Sequence, residues 1–206
     1  MKKKLLAILV VVLTAISANA AIVGWNCDDD GDGAIVLGGQ PAFTQVGEGE
    51  NTEYTISWSC VQNWFPGHVE GDFITDTELD PTVWIAETVQ NQTTAAWVGY
   101  HIAIGMNKTF TISPSVIAPD YWTFIVTQPT GNQALPNNNG TGWVGYIDYY
   151  VGTGAPIAVN ESGDFGFKVS FLGGVAFCTE QVPVLVPEPA TMGLLTLGAL
   201  ALRRKK

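Results

Sequence analysis

Between residues 21 and 185 apolar residues recur at every second position, in short runs broken by glycine, proline and polar clusters. Tyr54, Ile56, Trp58 and Cys60 alternate with Thr55, Ser57 and Ser59. Phe165, Phe167, Val169 and Phe171 alternate with Asp164, Gly166, Lys168 and Ser170. Val98, Tyr100, Ile102 and Ile104 alternate with Trp97, Gly99, His101 and Ala103. A period of two sends successive side chains to opposite faces, so each run predicts a strand with one face on a core. Ala34–Leu37, Val83–Val89, Trp122–Thr127 and Trp143–Val151 add further strands, rich in β-branched and aromatic residues. No stretch of the body holds a 3.6-residue period over three turns. Many short strands without helices between them predict an all-β fold, an antiparallel two-sheet β-sandwich of jelly-roll or immunoglobulin-like kind with about seven to ten strands.

The punctuation agrees with short strands. The chain has 23 glycines and 11 prolines, which disfavour long helices. Asn137 to Gly142 reads as a loop tip, because asparagine and glycine tolerate positive φ. Residues 181–189 hold three prolines and read as an extended linker out of the domain. The quartet Trp97, Val98, Gly99, Tyr100 recurs as Trp143, Val144, Gly145, Tyr146. Two copies do not make a solenoid; they read as two strands sharing an aromatic pattern.

Charge separates the ends from the middle. The whole chain carries a net −10 over 206 residues. Seven of its nine basic residues lie at the termini, leaving Lys108 and Lys168 against eighteen acidic residues in 21–187, a net of −16. A pI near 4.4 argues against nucleic acid or anionic lipid as a main partner, because both demand a basic face. At the N-terminus, Lys2 to Lys4, the apolar run Leu5–Leu13 and the small residues Ala18 and Ala20 follow the order of a secretory signal peptide. Signal peptidase would then release a mature chain beginning near Ala21. At the C-terminus a Pro-Glu-Pro break precedes thirteen apolar residues, Ala190 to Leu202, and a cationic stop. A helix of that length reaches roughly 20 Å, short of a ~30 Å hydrocarbon core. Snorkelling and bilayer thinning allow temporary insertion, with the basic end in the cytoplasm.

These C-terminal residues carry a family resemblance. Val186, Pro187, Glu188, Pro189, Ala190 and Thr191, the apolar run and the terminal Arg203, Arg204, Lys205 and Lys206 resemble the PEP-CTERM sorting signal of bacterial secreted proteins. The resemblance implies a substrate of an exosortase, a membrane cysteine transpeptidase, with Pro187, Glu188 and Pro189 as recognition residues and processing near them. It implies an exported cell-surface or extracellular-matrix protein from envelope-bearing bacteria that also make exopolysaccharide. The expected organisation is a signal peptide over 1–20, an ectodomain over 21–180, the linker with its motif over 181–189, and a hydrophobic helix with basic tail over 190–206. The precursor is expected at the inner membrane, then at the surface or outside.

Chemistry in the body is sparser. Asp28, Asp30 and Asp32, followed by Gly33, fit the D-x-D-x-D-G spacing that converges carboxylates on Ca²⁺. Position twelve is Gly39 rather than glutamate, so a site would borrow Glu48, Glu50 or Glu53; the alternative is a solvated acidic turn. Three cysteines in an oxidising compartment leave one unpaired, with Cys27–Cys60 placed slightly ahead of Cys60–Cys178. Trp97 and His101 share one strand face, which is either an exposed stacking platform for exopolysaccharide or simply an outward or opposite-sheet face with a structural histidine. Asp76, Glu78 and Asp80 cluster before Pro81 without defining a catalytic pair. No phosphate loop, dinucleotide fingerprint or G-x-S-x-G occurs. The expected function is therefore a sorted surface protein without catalysis of its own. A calcium-assisted carbohydrate-binding module is the alternative, and a small hydrolase ranks last.

Overall fold

The computed structural model describes residues 21–47, 52–78 and 81–186. The signal-peptide residues Ala18 and Ala20, the motif residues Pro187 to Thr191, the basic tail Arg203 to Lys206, and Glu48, Glu50 and Asp80 lie outside them. Among the described residues no helix is long and apolar enough to cross a membrane.

Among the described residues twelve strands form two six-stranded sheets: β1 (Ile22–Asp29), β2 (Ile35–Leu37), β3 (Ala42–Val46), β4 (Glu53–Gln62), β5 (Gly67–Thr75), β6 (Thr82–Asn91), β7 (Trp97–Met106), β8 (Phe110–Ile117), β9 (Thr123–Ala134), β10 (Thr141–Tyr150), β11 (Ser162–Phe171) and β12 (Val175–Leu185). Sheet A runs β1-β5-β12-β7-β10-β9, and sheet B runs β2-β4-β6-β11-β8 with β3 on β4. The all-β sandwich expected from the alternation is what forms, with twelve strands among the described residues in place of the seven to ten expected. One pairing departs from the antiparallel expectation. Strands β4 and β6 are parallel, with Tyr54 opposite Val83 and Gln62 opposite Asn91. The cause is β5, which crosses to sheet A between them, so the chain re-enters sheet B in its former direction.

The core lies between the inner faces. From sheet B come Tyr54, Ile56, Ile85, Val89, Phe165, Phe167 and Val169; from sheet A come Val69, Phe73, Tyr100, Ile102, Ile147 and Tyr149, all buried. Alternation is what sends these residues inward, and aromatic contacts join the layers: Tyr100 stacks on Phe165 at 4.4 Å between centroids, and Phe73 on Phe171 at 5.4 Å. Offset aromatic pairs of this kind add about 0.5–1.5 kcal/mol beyond area burial.

Two expectations need correction. The linker does not begin at 181. Gln181 to Val184 continue β12 in register with β7, from Gln181 opposite Ile102 to Val184 opposite Gly99, and Leu185 pairs with Trp97 after a one-residue shift. The Pro183 nitrogen donates nothing to this ladder, yet its flanking residues keep the strand paired. The second correction concerns Trp97, which is fully buried. A register shift between Val184 and Leu185 puts it off the alternation, stacked on Tyr100 at 5.3 Å. Its indole nitrogen donates to Thr93 Oγ1 at 2.9 Å. Trp97 is a core anchor, and no sugar can reach it. The second copy of the quartet has another environment: Trp143 is 37 % exposed.

Candidate functional site

The acidic turn, the outer face of sheet A, a buried carboxyl in the core and the domain end from which the chain leaves β12 are the features that bear on function. In the turn, Asp29 Oδ1 accepts from Gly31 N at 3.1 Å, Asp30 Oδ1 from Asp32 N at 3.2 Å, and Asp32 Oδ1 from Ala34 N at 2.6 Å. Each is a local side-chain turn of the kind aspartate favours. Asp29 Oδ2 also accepts from Leu37 N at 3.0 Å, tying β1 to β2.

The expected trio Asp28, Asp30, Asp32 does not converge. Asp28 still belongs to β1, opposite Glu70 on β5, and lines a cavity of about 500 Å³ with Glu70, Asp72 and Asn137. Its place is taken by His68, whose Nδ1 lies 3.0 Å from Asp30 Oδ2. One ligand atom each from Asp30, Asp32 and His68 falls within 4.8 Å of the others. Burial raises the Asp30 carboxyl, but the Asp32 amide and His68 outweigh it and hold the group below the usual range. On the far side of the ring, Glu180 Oε2 stands 3.4 Å from His68 Nε2. Glu53 does not reach the turn: it starts β4 and pairs with Lys168, whereas the turn meets the far end of that strand, where Asn63 N donates to Ala34 O. His68 carried no motif in the sequence; only the β1–β5 pairing brings it to the turn.

The outer face of sheet A also carries the second histidine. His101 Nδ1 lies 2.6 Å from Asp148 Oδ1, and its ring stacks on Tyr146 at 5.4 Å. Tyr150, two positions beyond Asp148, is 44 % exposed.

Inside the sandwich, Glu87 is buried. Its Oε2 accepts from Gln181 Nε2 at 2.8 Å and from Trp58 Nε1 at 3.2 Å, while Oε1 has no hydrogen-bond partner. Burial pushes this carboxyl up to about 7, against the lowering effect of the two donors. The Tyr100 hydroxyl sits 2.8 Å from Gln62 Oε1 and 2.6 Å from Gln181 Oε1, extending the network across both sheets. All three cysteines are free and buried, so the expected Cys27–Cys60 pair is not formed in this structure. Burial pushes Cys27 up to about 12 and raises Cys60 and Cys178 as well. Cys178 lies on the outer side of β12 and lines the same cavity as Asp28. Cys60 faces the core, so β12 itself separates the Cys60–Cys178 alternative.

The chain leaves the domain straight from β12. Val186 N donates to Ala96 O at 2.9 Å, next to the buried end of β7. Residues 185–206 match the PEP-CTERM protein-sorting motif. No curated protein matches the chain. The chain therefore carries an exosortase sorting signal, and that signal indicates export and sorting to the cell surface. The motif begins at Leu185, the last residue of a central strand.

Proposed function

We propose that this is an exported surface or matrix protein without catalytic activity, whose precursor is held at the inner membrane by residues 190–202 and cut by an exosortase near Pro187, Glu188 and Pro189. The observation that carries the reading is the sorting motif at 185–206, joined directly to a folded β-domain. Signal peptidase would cut after Ala20. The Ala21 nitrogen, which would become the new α-ammonium, already lies 2.7 Å from Asp76 Oδ1, a charge-assisted pairing. The test is a chain with Pro187→Ala, Glu188→Ala and Pro189→Ala in the native host. It is expected to accumulate uncut in the inner-membrane fraction. Normal release of that variant would refute the role given to the motif.

A second reading has one observation in its favour: the ligand atoms of Asp30, Asp32 and His68 within 4.8 Å. Replacing an aspartate by imidazole turns an oxygen set toward a borderline ion of the Zn²⁺ kind, because Ca²⁺ takes oxygen ligands. A cation-assisted sugar contact would then use Tyr146 and Tyr150 rather than Trp97. Micromolar Zn²⁺ is expected to raise the melting temperature of the chain and His68→Ala to abolish the rise. An equal response in the variant would dispose of the site.

A further inference from the structure

We infer that the end of the sandwich surrounding the chain exit lies against the bilayer, with its exposed aromatic and aliphatic tips in the headgroup layer; this rests on the membrane-held precursor proposed above. Strand direction fixes which residues share that end. Strand β12 finishes at Leu185 opposite Trp97, the start of β7. Trp97 N donates to Ile157 O at 2.9 Å. Tyr150, the last residue of β10, is opposite both Gly99 and Thr123, the start of β9. Gln92 N donates to Gln62 O at 2.9 Å, which brings the end of β4, and the loop after it, to the same side.

The exposed aromatics are not spread evenly. Among the described residues the exposed aromatic side chains are Trp64, Phe65, Tyr121, Phe124, Trp143 and Tyr150. Five of these six belong to this end; Trp143, opposite Met106, is at the other. Tyr121 is the most exposed, at 76 %, and holds a φ of 62°. A bulky residue in the left-handed region costs roughly 1 kcal/mol or more, so the loop presents this ring outward at a cost to itself. Val184, 49 % exposed, lies on the other side of Gly99 from Tyr150. A Cβ on Gly99 would meet Val184 Cβ at 3.2 Å, so the glycine lets the two tips share one surface.

The occupant follows from the length of chain beyond the domain. Only residues 187–189 separate Val186 from the apolar run beginning at Ala190. Fully extended, they span about 10 Å. The headgroup layer on one side of a bilayer is about 5–8 Å thick. With the run inserted, the domain end is held within about 5 Å of the headgroups, close enough for its exposed tips to reach them. Tyrosine and tryptophan are the residues that settle at that depth, with the ring in the apolar zone and the polar atom in water. Asp120 and Glu161 flank the tips, and Asp30 and Asp32 stand in the turn whose Gly33 lies against Trp64, so contact is shallow and favours zwitterionic lipid.

The test uses the full chain reconstituted into phosphatidylcholine vesicles carrying doxyl-labelled lipid. Tyr121→Cys and Tyr150→Cys receive an environment-sensitive fluorophore, and Leu172→Cys, in the turn at the opposite end, serves as control. The native cysteines are buried and stay unlabelled. Labels at 121 and 150 should shift to the blue and be quenched about twofold by the doxyl lipid, with no effect at 172. If the chain floats with the vesicles but both labels remain water-like, the apposition is wrong while the anchor stands. If the chain fails to float, the anchor and the apposition fall together. Equal quenching at 172 also refutes the orientation.

Discussion

Glu87 is the residue whose chemistry departs furthest from its surroundings. Its folded value of about 7 lies above the ordinary 4.5 because the core strips water from the carboxylate. Between those two values the folded chain holds a proton that the unfolded chain releases. Stability from this group is therefore full below about pH 4.5 and is lost as pH rises through about 7, on the order of 3 kcal/mol. The melting temperature should fall from pH 5 to pH 8, and Glu87→Gln should remove most of that slope. An unchanged slope in the variant would place the titration elsewhere. The thiols give a second expectation. A thiolate is the nucleophile, and all three cysteines are pushed away from it, so iodoacetamide at pH 8 should label none in the folded chain. After denaturation three should react; one would show that a pair had formed.

Some of these residues were legible in the sequence and some were not. Strand alternation correctly sent Tyr54, Phe165 and Tyr100 into the core, because a period of two is a property of the local backbone. It failed at Trp97, where a register shift set by the partner strand β12 rotates the side chain inward. The D-x-D-x-D-G spacing located the turn but not its third member, since His68 arrives through β1–β5 pairing across 38 positions of chain. The Glu87 network was invisible for the same reason: Gln181, its donor, is 94 residues away.

At the scale of elements, β12 carries the clearest consequence. Composition marked residues 181–189 as linker because proline punctuates chains, yet Gln181 is buried and pairs with Gly67 and Ile102. A chain ending after Val186 should melt within a degree or two of the full chain. A chain ending after Glu180 should lose several kcal/mol, because it strips a ladder from β7 and leaves Glu87 without its Gln181 donor. Equal melting of the two truncations would restore the linker boundary at 181. The parallel β4–β6 pair is an element-scale feature that alternation cannot specify, since it depends on which sheet β5 joins.

For the molecule as a whole, the charge of −10 divides into two basic ends and a body near −16. The C-terminal motif was readable because a sorting signal is linear and is recognised as sequence. The cluster of Asp30, Asp32 and His68 was not, because the turn after β1 meets β5 only through the fold. In the proposed function the basic C-terminal end is an address, removed on delivery. Mass analysis of the C-terminal peptide of the mature protein, recovered from the cell surface or medium, tests it most directly. The expected mature chain ends near the Pro187–Pro189 motif, without Arg203, Arg204, Lys205 and Lys206. An exported protein that still carries those four residues would contradict it.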